Sequence, residues 1–335
     1  MTVTRTPNCS NLKILIIQTA FIGDVVLATP IIENLVATYP EAHIDFLLRK
    51  GNENLLEGHP HIRNVLVWNK KEGKYKSLWK MLGTIRQNEY DYVINLQRFA
   101  STGFLTAFSK GKAKIGFAKN PFSFAFDKKI KHLIGEGTHE VDRNLELIKE
   151  FAKTGKRALK LHTSHSDKDA VKQHINQKYV CIAPASVWFT KQLPEKQWIK
   201  LCEKLAENYH VCFIGAPGDT AMCERIAQGA MLKNYTDYCG KLSFLQSAAL
   251  MEQAAMCYVN DSAPLHFASA VNAPVTAFFC STIPEFGFGP IADNAKVAQI
   301  SEKLACRPCG LHGKKVCPKG HFDCGYKIDV EKYVP

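Results

Sequence analysis

The chain has no apolar run approaching the roughly 18 residues that a bilayer-spanning helix needs. Its best candidate, around QTAFIGDVVLATP (18–30), is interrupted by Asp24 and Pro30. The opening MTVTRTPNCSN carries no apolar signal core, which reads as a cytosolic protein. Its 12 cysteines then read as mostly reduced thiols rather than a disulfide framework. No Gly-x-Gly-x-x-Gly follows a strand-like run and no Gly-x4-Gly-Lys occurs, which argues against nicotinamide chemistry and P-loop hydrolysis. The one Asp-x-Asp, Asp167-Lys168-Asp169, lies in a polar stretch and reads as solvated charge rather than a metal site.

What is present suits two domains: 335 residues, 46% hydrophobic and 22% charged, in the range of ordinary globular chains. The net charge of +12 is uneven. Residues 1–160 carry 25 Lys and Arg against 15 Asp and Glu, whereas residues 161–335 carry 18 against 16. The excess gathers in KKEGKYK (70–76) and KGKAKIGFAKN (110–120). It reads either as a solubilising surface or as attraction to an anionic partner: nucleic acid, a phosphorylated glycan or an acidic membrane face.

Short β-branched or aromatic runs alternate with helical spacing. KILIIQ, HIDFLL (43–48), VLVW (65–68), YVINLQ (92–97) and KIGFA (114–118) read as strands, with helices at 31–39 and 77–87 and a charged helix over 139–155. A polar stretch, 161–178, reads as a linker after an N-terminal domain of residues 1–160. The alternation restarts in 179–335 with VCIA (180–183), HVCFIG (210–215), CYVN (257–260) and VTAFFC (275–280); Ser243 and Gln246 stand at capping-box spacing. The fold class is therefore α/β, two Rossmann-like domains with mostly parallel sheets facing a central cleft.

Three loops that follow strands hold candidate chemistry. In the first, Gly23 permits a sharp turn or close approach, and Asp24 reads as a helix cap or as a cleft-facing general base. In the second, Ser186, Thr190 and Lys191 precede a helix opening at Pro194, and the lysine suits a phosphate. In the third, Asp261, Ser262 and Ala263 lead into a helix start at Pro264, an anion site within reach of His266. Gly215 and Asp219 end another strand, where a carboxylate suits a ribose hydroxyl.

With IGDVVLATPIIENLVATYPEAHIDFL (22–47), PASVWFTKQLPEKQW (184–198) and NDSAPLHFASAVNAPVTAFF (260–279) in this order, nearly the whole chain resembles glycosyltransferase family 9, the lipopolysaccharide core heptosyltransferases. The resemblance implies a GT-B fold and an inverting, metal-independent transfer of a heptose or related sugar from a nucleotide-sugar donor, ADP-heptose by inheritance. Asp24 maps to the family's catalytic base and Lys191 to its donor-phosphate lysine. Asp261, Ser262 and His266 map to the donor motif, and Ser186 and Leu242 match further donor positions. Ala263 departs from the usual glycine, which bears on donor affinity. The implied acceptor is an anionic lipid-linked glycan of lipid A–Kdo type. That places the enzyme in the cytoplasm, peripheral at the inner face of the cytoplasmic membrane, with no nucleic-acid partner. A nucleotide-sugar epimerase of GT-B type and a basic nucleic-acid-binding protein are the alternatives. No cofactor is implied for the chemistry. The tail 306–324 holds Cys306, Cys309, Cys317 and Cys324, which read either as a structural zinc site or as free thiols.

Overall fold

The computed structural model describes residues 11–172 and 177–335. It divides into two compact units: the chain to Ile134 with Glu140–Arg157, and Gly135–His139 with Ala158–Pro335.

The first unit is a six-stranded sheet covered by helices. Its elements are β1 (Lys13–Ile17), α1 (Ile22–Thr38), β2 (His43–Arg49), β3 (Ile62–Trp68), α2 (Lys74–Asn88), β4 (Tyr92–Asn95), α3 (Ala100–Ala107), β5 (Ala113–Phe117), β6 (Lys128–Ile130) and α4 (Glu140–Leu145). The strands lie in the order β3-β2-β1-β4-β5-β6 and every pair is parallel. Ile14, Leu15, Ile16 and Ile17 are all fully enclosed, which is why β1 is apolar at successive rather than alternate positions. The five runs read as strands are strands. The charged helix expected over 139–155 is helical only as α4, through Leu145, and continues to Ala152 as turns.

Pro30 sits inside α1, where it leaves the Val26 carbonyl without its helical donor. The neighbouring Thr29 hydroxyl donates to that carbonyl at 2.8 Å, so the helix runs on unbroken. Asn34 on the same helix bonds both the carbonyl and the amide of Lys156, tying the returning segment to α1.

The second unit repeats the plan. It contains α5 (His165–Ala170), β7 (Tyr179–Ala183), α6 (Glu195–Leu205), β8 (His210–Phe213), α7 (Thr220–Gly229), β9 (Tyr235–Asp237), α8 (Phe244–Glu252), β10 (Met256–Asn260), α9 (Ala263–Ala270), β11 (Val275–Phe279), β12 (Ala295–Gln299) and α10 (Asp323–Tyr326). The order is β12-β11-β10-β7-β8-β9, again parallel throughout. Part of the stretch read as a linker is structured: Ser164 and Asp167 form a capping box on α5, and Lys168 pairs with Glu252 of α8 at 3.0 Å. Leu159, Leu161 and Val171 are buried, while residues 173–176 lie outside the described residues.

Each sheet has one point where neighbouring strands lead away in opposite directions along the sheet, β1/β4 in the first and β7/β10 in the second. Parallel α/β sheets bind ligands beyond the carboxyl ends of such strands. The segments after β1, β7 and β10 carry Asp24, Lys191 and Asp261, and those after β8 and β9 carry Gly215, Asp219 and Leu242.

Candidate active site

Lys191 follows β7 and Asp261 follows β10, and the two meet across the second switch point, Nζ to Oδ2 at 2.8 Å. Both are largely enclosed, with side chains 15% and 7% exposed, so this ion pair is sheltered from solvent screening. Thr282, just beyond β11, donates its hydroxyl to the same Asp261 oxygen at 2.6 Å. Asn260 fixes the approach of the two loops. Its Nδ2 donates to the Pro184 carbonyl at 2.7 Å and its Oδ1 accepts from the Leu193 amide at 2.9 Å.

Directly after Asp261 the chain enters α9, with Ser262 at the cap in extended conformation and Pro264 inside the first turn. His266 lies on that helix, 5% exposed, with an enclosed Nδ1 that has no hydrogen-bond partner among the described residues. Burial pushes its pKa down to about 3, against the pull of Asp261, so the ring is neutral. A neutral imidazole with an open nitrogen beside Lys191, Asp261 and a helix N-terminus is arranged for a ligand with hydroxyls and negative charge. Ala263 begins α9 outside the left-handed region, so its methyl imposes no backbone strain where the family usually has glycine.

In the first unit, Asp24 stands in the first turn of α1, where Oδ2 accepts the Phe21 amide at 3.1 Å. The capping reading is therefore met by Oδ2. Burial, reinforced by the Glu140 carboxylate, raises its pKa to about 6 despite the Phe21 amide and Arg98. Glu140 stays ionised beside it because His132 at 3.1 Å and Arg143 at 2.6 Å hold its pKa down against burial. Gly23 lies within the helix and its φ is not left-handed, so the sharp turn expected there is absent.

The chain matches the model of glycosyltransferase family 9 (heptosyltransferase) over residues 78–318. It is 31% identical over 279 residues to lipopolysaccharide heptosyltransferase 3 of Escherichia coli K12, covering 78% of this chain and 80% of that one. The chain belongs to glycosyltransferase family 9. Among solved structures, a family 9 glycosyltransferase from Veillonella parvula superposes with a TM-score of 0.78 at 21% identity, over 85% of both chains. The ADP-heptose lipopolysaccharide heptosyltransferase II of Escherichia coli superposes at 0.74 and 19% identity, over 93% of this chain and 97% of that one. The fold is GT-B and the protein is a glycosyltransferase.

Other expected donor residues of the glycosyltransferase hold the loops in place. Thr190 is 1% exposed, and its hydroxyl receives the Ser281 hydroxyl at 3.0 Å and the Lys314 amide at 2.8 Å. Asp219 turns back so that Oδ2 accepts the Ala216 amide at 2.7 Å. Gly215 is required there, because a Cβ would lie 2.8 Å from Asp219 Oδ2 and 3.1 Å from Cys239 Sγ. Ser186 contributes its carbonyl to Gln192 and keeps a partly exposed side chain. Leu242, partly exposed, precedes the Ser243–Gln246 capping box that opens α8.

The tail braces this site, which the sequence did not announce. Arg307 donates to the carbonyls of Cys280 at 2.7 Å, Phe279 at 3.1 Å and Thr282 at 2.7 Å, fixing the strand end that carries Thr282. Thr190 and Lys314 exchange backbone and hydroxyl hydrogen bonds. Among the described residues no three of the tail sulfurs lie within 4.8 Å of one another, yet the Cys309 and Cys324 thiols each feel the charge of their tail neighbours, so the four lie near one another and both readings, zinc site and free thiols, stay open. Cys324 is built into the hydrophobic core, where burial pushes its thiol up to about 12, and the Cys309 thiol donates to the Cys306 carbonyl at 3.2 Å.

Gly313 is the tightest point of the brace, with φ +74° and room for a Cβ only 2.8 Å from Lys191 Cγ. Gly313→Ala should destabilise the fold by about 1 kcal/mol and raise the KM for the glycosyl donor severalfold by displacing the lysine stem. Wild-type values for both the urea midpoint and the donor KM would show that the tail does not set Lys191.

Proposed function

We propose that the chain is an inverting heptosyltransferase that moves a heptose, or a closely related sugar, from ADP-heptose to the inner core of a lipopolysaccharide precursor. The donor sugar is supported by the relatives, one of which is named for ADP-heptose, and the acceptor class by the lipopolysaccharide heptosyltransferase of Escherichia coli. The observation that carries the donor half is the enclosed Lys191–Asp261 pair at the start of α9, with the open His266 nitrogen beside it. On this reading the domains divide the work: the N-terminal unit holds the acceptor, and the C-terminal unit the nucleotide sugar.

In the transfer, the acceptor hydroxyl oxygen attacks the anomeric carbon opposite the diphosphate. Its proton passes to the Asp24 carboxylate as the new C–O bond forms. The bond to the diphosphate breaks, and ADP leaves with that electron pair. A base with a pKa of about 6 is ionised at neutral pH yet accepts a proton more readily than an ordinary carboxylate. Lys191, His266 and the amides that open α9 offset the charge growing on the leaving diphosphate. Thr190, Asp219, Ser186, Leu242, Ser262 and Ala263 shape the loops around that donor, and Gly23 allows close approach of the acceptor to α1. No metal is assigned to the chemistry. The single carboxylate among these donor residues at the switch point, Asp261, is already engaged by Lys191 and Thr282.

Incubation with ADP-heptose should release ADP only when a lipid A–Kdo acceptor is present, with the product anomer inverted relative to the donor. Sugar inversion at C2 or release of nucleotide without acceptor would favour an epimerase instead. Asp24→Asn should lower turnover by about 10³-fold, while the wild-type kcat/KM rises with pH along a limb centred near 6. Because the fold raises this pKa from 3.8, the ionised carboxylate costs stability, and that cost builds as pH climbs from 3.8 to about 6 and is fully present above it. The Asp24→Asn variant should therefore be no less stable than wild type at pH 7. Residual activity above a tenth of wild type, or a fold that collapses, would remove Asp24 as base.

Treatment with a chelator should leave turnover within about twofold of the untreated enzyme, as expected where a lysine and backbone amides carry the leaving-group charge. Loss of turnover that Mg2+ or Mn2+ restores would overturn the metal-independent chemistry.

A further inference from the structure

One side of the first unit carries a run of aromatic rings packed on one another. Trp79 of α2 meets Phe104 of α3 at 5.4 Å, Phe104 meets Phe108 at 4.8 Å and Phe122 at 6.0 Å, and Phe122 meets Phe124 at 5.9 Å. A buried cluster of this kind would be core. This one is open: Trp79 is 59% exposed, Phe108 45% and Phe124 75%. Tyr75, one helical turn before Trp79, and Phe99, at the start of α3, are also exposed. Single exposed aromatics are ordinary, but contiguous ones mark a surface that something covers.

The charge around the rings identifies the cover. Residues 74–88 and 98–126, which contain all of them, hold nine Lys and Arg and no Asp or Glu. They account for most of the +12 net charge of the chain. Lys76 and Lys80 flank Trp79 along α2 and are exposed, as are Lys110 and Lys119 near α3 and Phe122. Lys112, also exposed, is paired with Asp91 at 2.7 Å.

We propose that this face docks on an anionic lipid bilayer, with the rings at headgroup depth and the lysines on lipid phosphates. Amphipathic aromatics favour the membrane interface, and a polybasic surround is drawn to anionic lipid. A second copy of the chain is disfavoured, because the face would bring Lys76, Lys80, Lys110 and Lys119 against their own copies, with no acid in these segments to balance them. Nucleic acid would feel the same charge. These rings, however, turn edges to one another, at 82° for Trp79–Phe104 and Phe104–Phe122, and do not form a row of parallel faces for bases. The face begins at Phe99, beside Arg98, whose charge reaches Asp24. It thus adjoins the proposed base, where an acceptor anchored in lipid must arrive. The inference rests on that acceptor being lipid-linked and deepens the reading given above.

Trp79 itself reports the contact, since Trp68 and Trp198 are buried and Trp188 lies in the other unit. The protein is titrated with vesicles of phosphatidylcholine alone and of phosphatidylcholine with about a third phosphatidylglycerol. Binding should shift the emission to the blue only with the anionic vesicles and weaken as salt is raised. Trp79→Ser with Phe124→Ser, and separately Lys76→Glu with Lys80→Glu, should each weaken vesicle binding about tenfold or more. Both double variants should keep the wild-type kcat on a deacylated, water-soluble acceptor. Equal binding to both vesicle types, an unmoved Trp79 emission, an RNA oligomer that shifts Trp79 where vesicles do not, or a dimer that the double variant dissolves would overturn the membrane face. Turnover on the deacylated acceptor is read separately, so its absence falls on the transferase reading and leaves the vesicle result standing.

Discussion

The contact of Lys191 with Asp261 is the constraint on which the second unit's chemistry depends. It closes the β7/β10 switch point, and much of what surrounds it serves to hold it. Thr282 takes up a lone pair of the carboxylate, Asn260 sets the loop spacing, and Gly313 lies against the lysine stem. A lysine wholly neutralised by a carboxylate would be a poor anion site. Here one Asp261 oxygen is shared between Lys191 and Thr282, and the helix N-terminus of α9 adds donors without adding a side-chain charge. The result is a fixed corner, balanced in side-chain charge, that the proposed reaction gives to a diphosphate gaining charge as it departs.

The first unit uses the same topology for the opposite purpose. Its switch point, β1/β4, also presents a helix N-terminus, but there the chain places a carboxylate, Asp24, with a second carboxylate close by in Glu140. Helix amides alone would keep such a group acidic. Burial and the Glu140 charge outweigh them, and the proton affinity rises. Glu140 does this without being protonated itself, because it is bound on both sides by His132 and Arg143. On the proposed reading one sheet plan serves as proton acceptor in one unit and anion cradle in the other, and the reaction needs both.

The strands and their parallel order were legible because strands buried on both faces are written as unbroken apolar runs, as in Ile14–Ile17. Asp24, Lys191 and Asp261 were legible by place, each following such a run. What the sequence hid was long-range. Thr190 accepts hydrogen bonds from Ser281 and Lys314, 91 and 124 residues away, partners that no local pattern discloses. The same distance concealed the bracing role of the tail, because cysteine spacing says nothing of the contacts that Arg307 and Gly313 make with the site. Of the two readings of Gly23, a sharp turn or close approach, the turn is absent, because a glycine beside a strand end does not reveal that the helix has already begun.

The division of labour between the units is tested most directly by titrating ADP calorimetrically into two variants, Asp24→Asn and Lys191→Met. The account predicts ADP affinity within about twofold of wild type for the first. For the second it predicts a loss of about tenfold or more, since a charge-assisted contact is removed and Asp261 is left facing the phosphates. Undiminished affinity in Lys191→Met, or an equal loss in both variants, would contradict it.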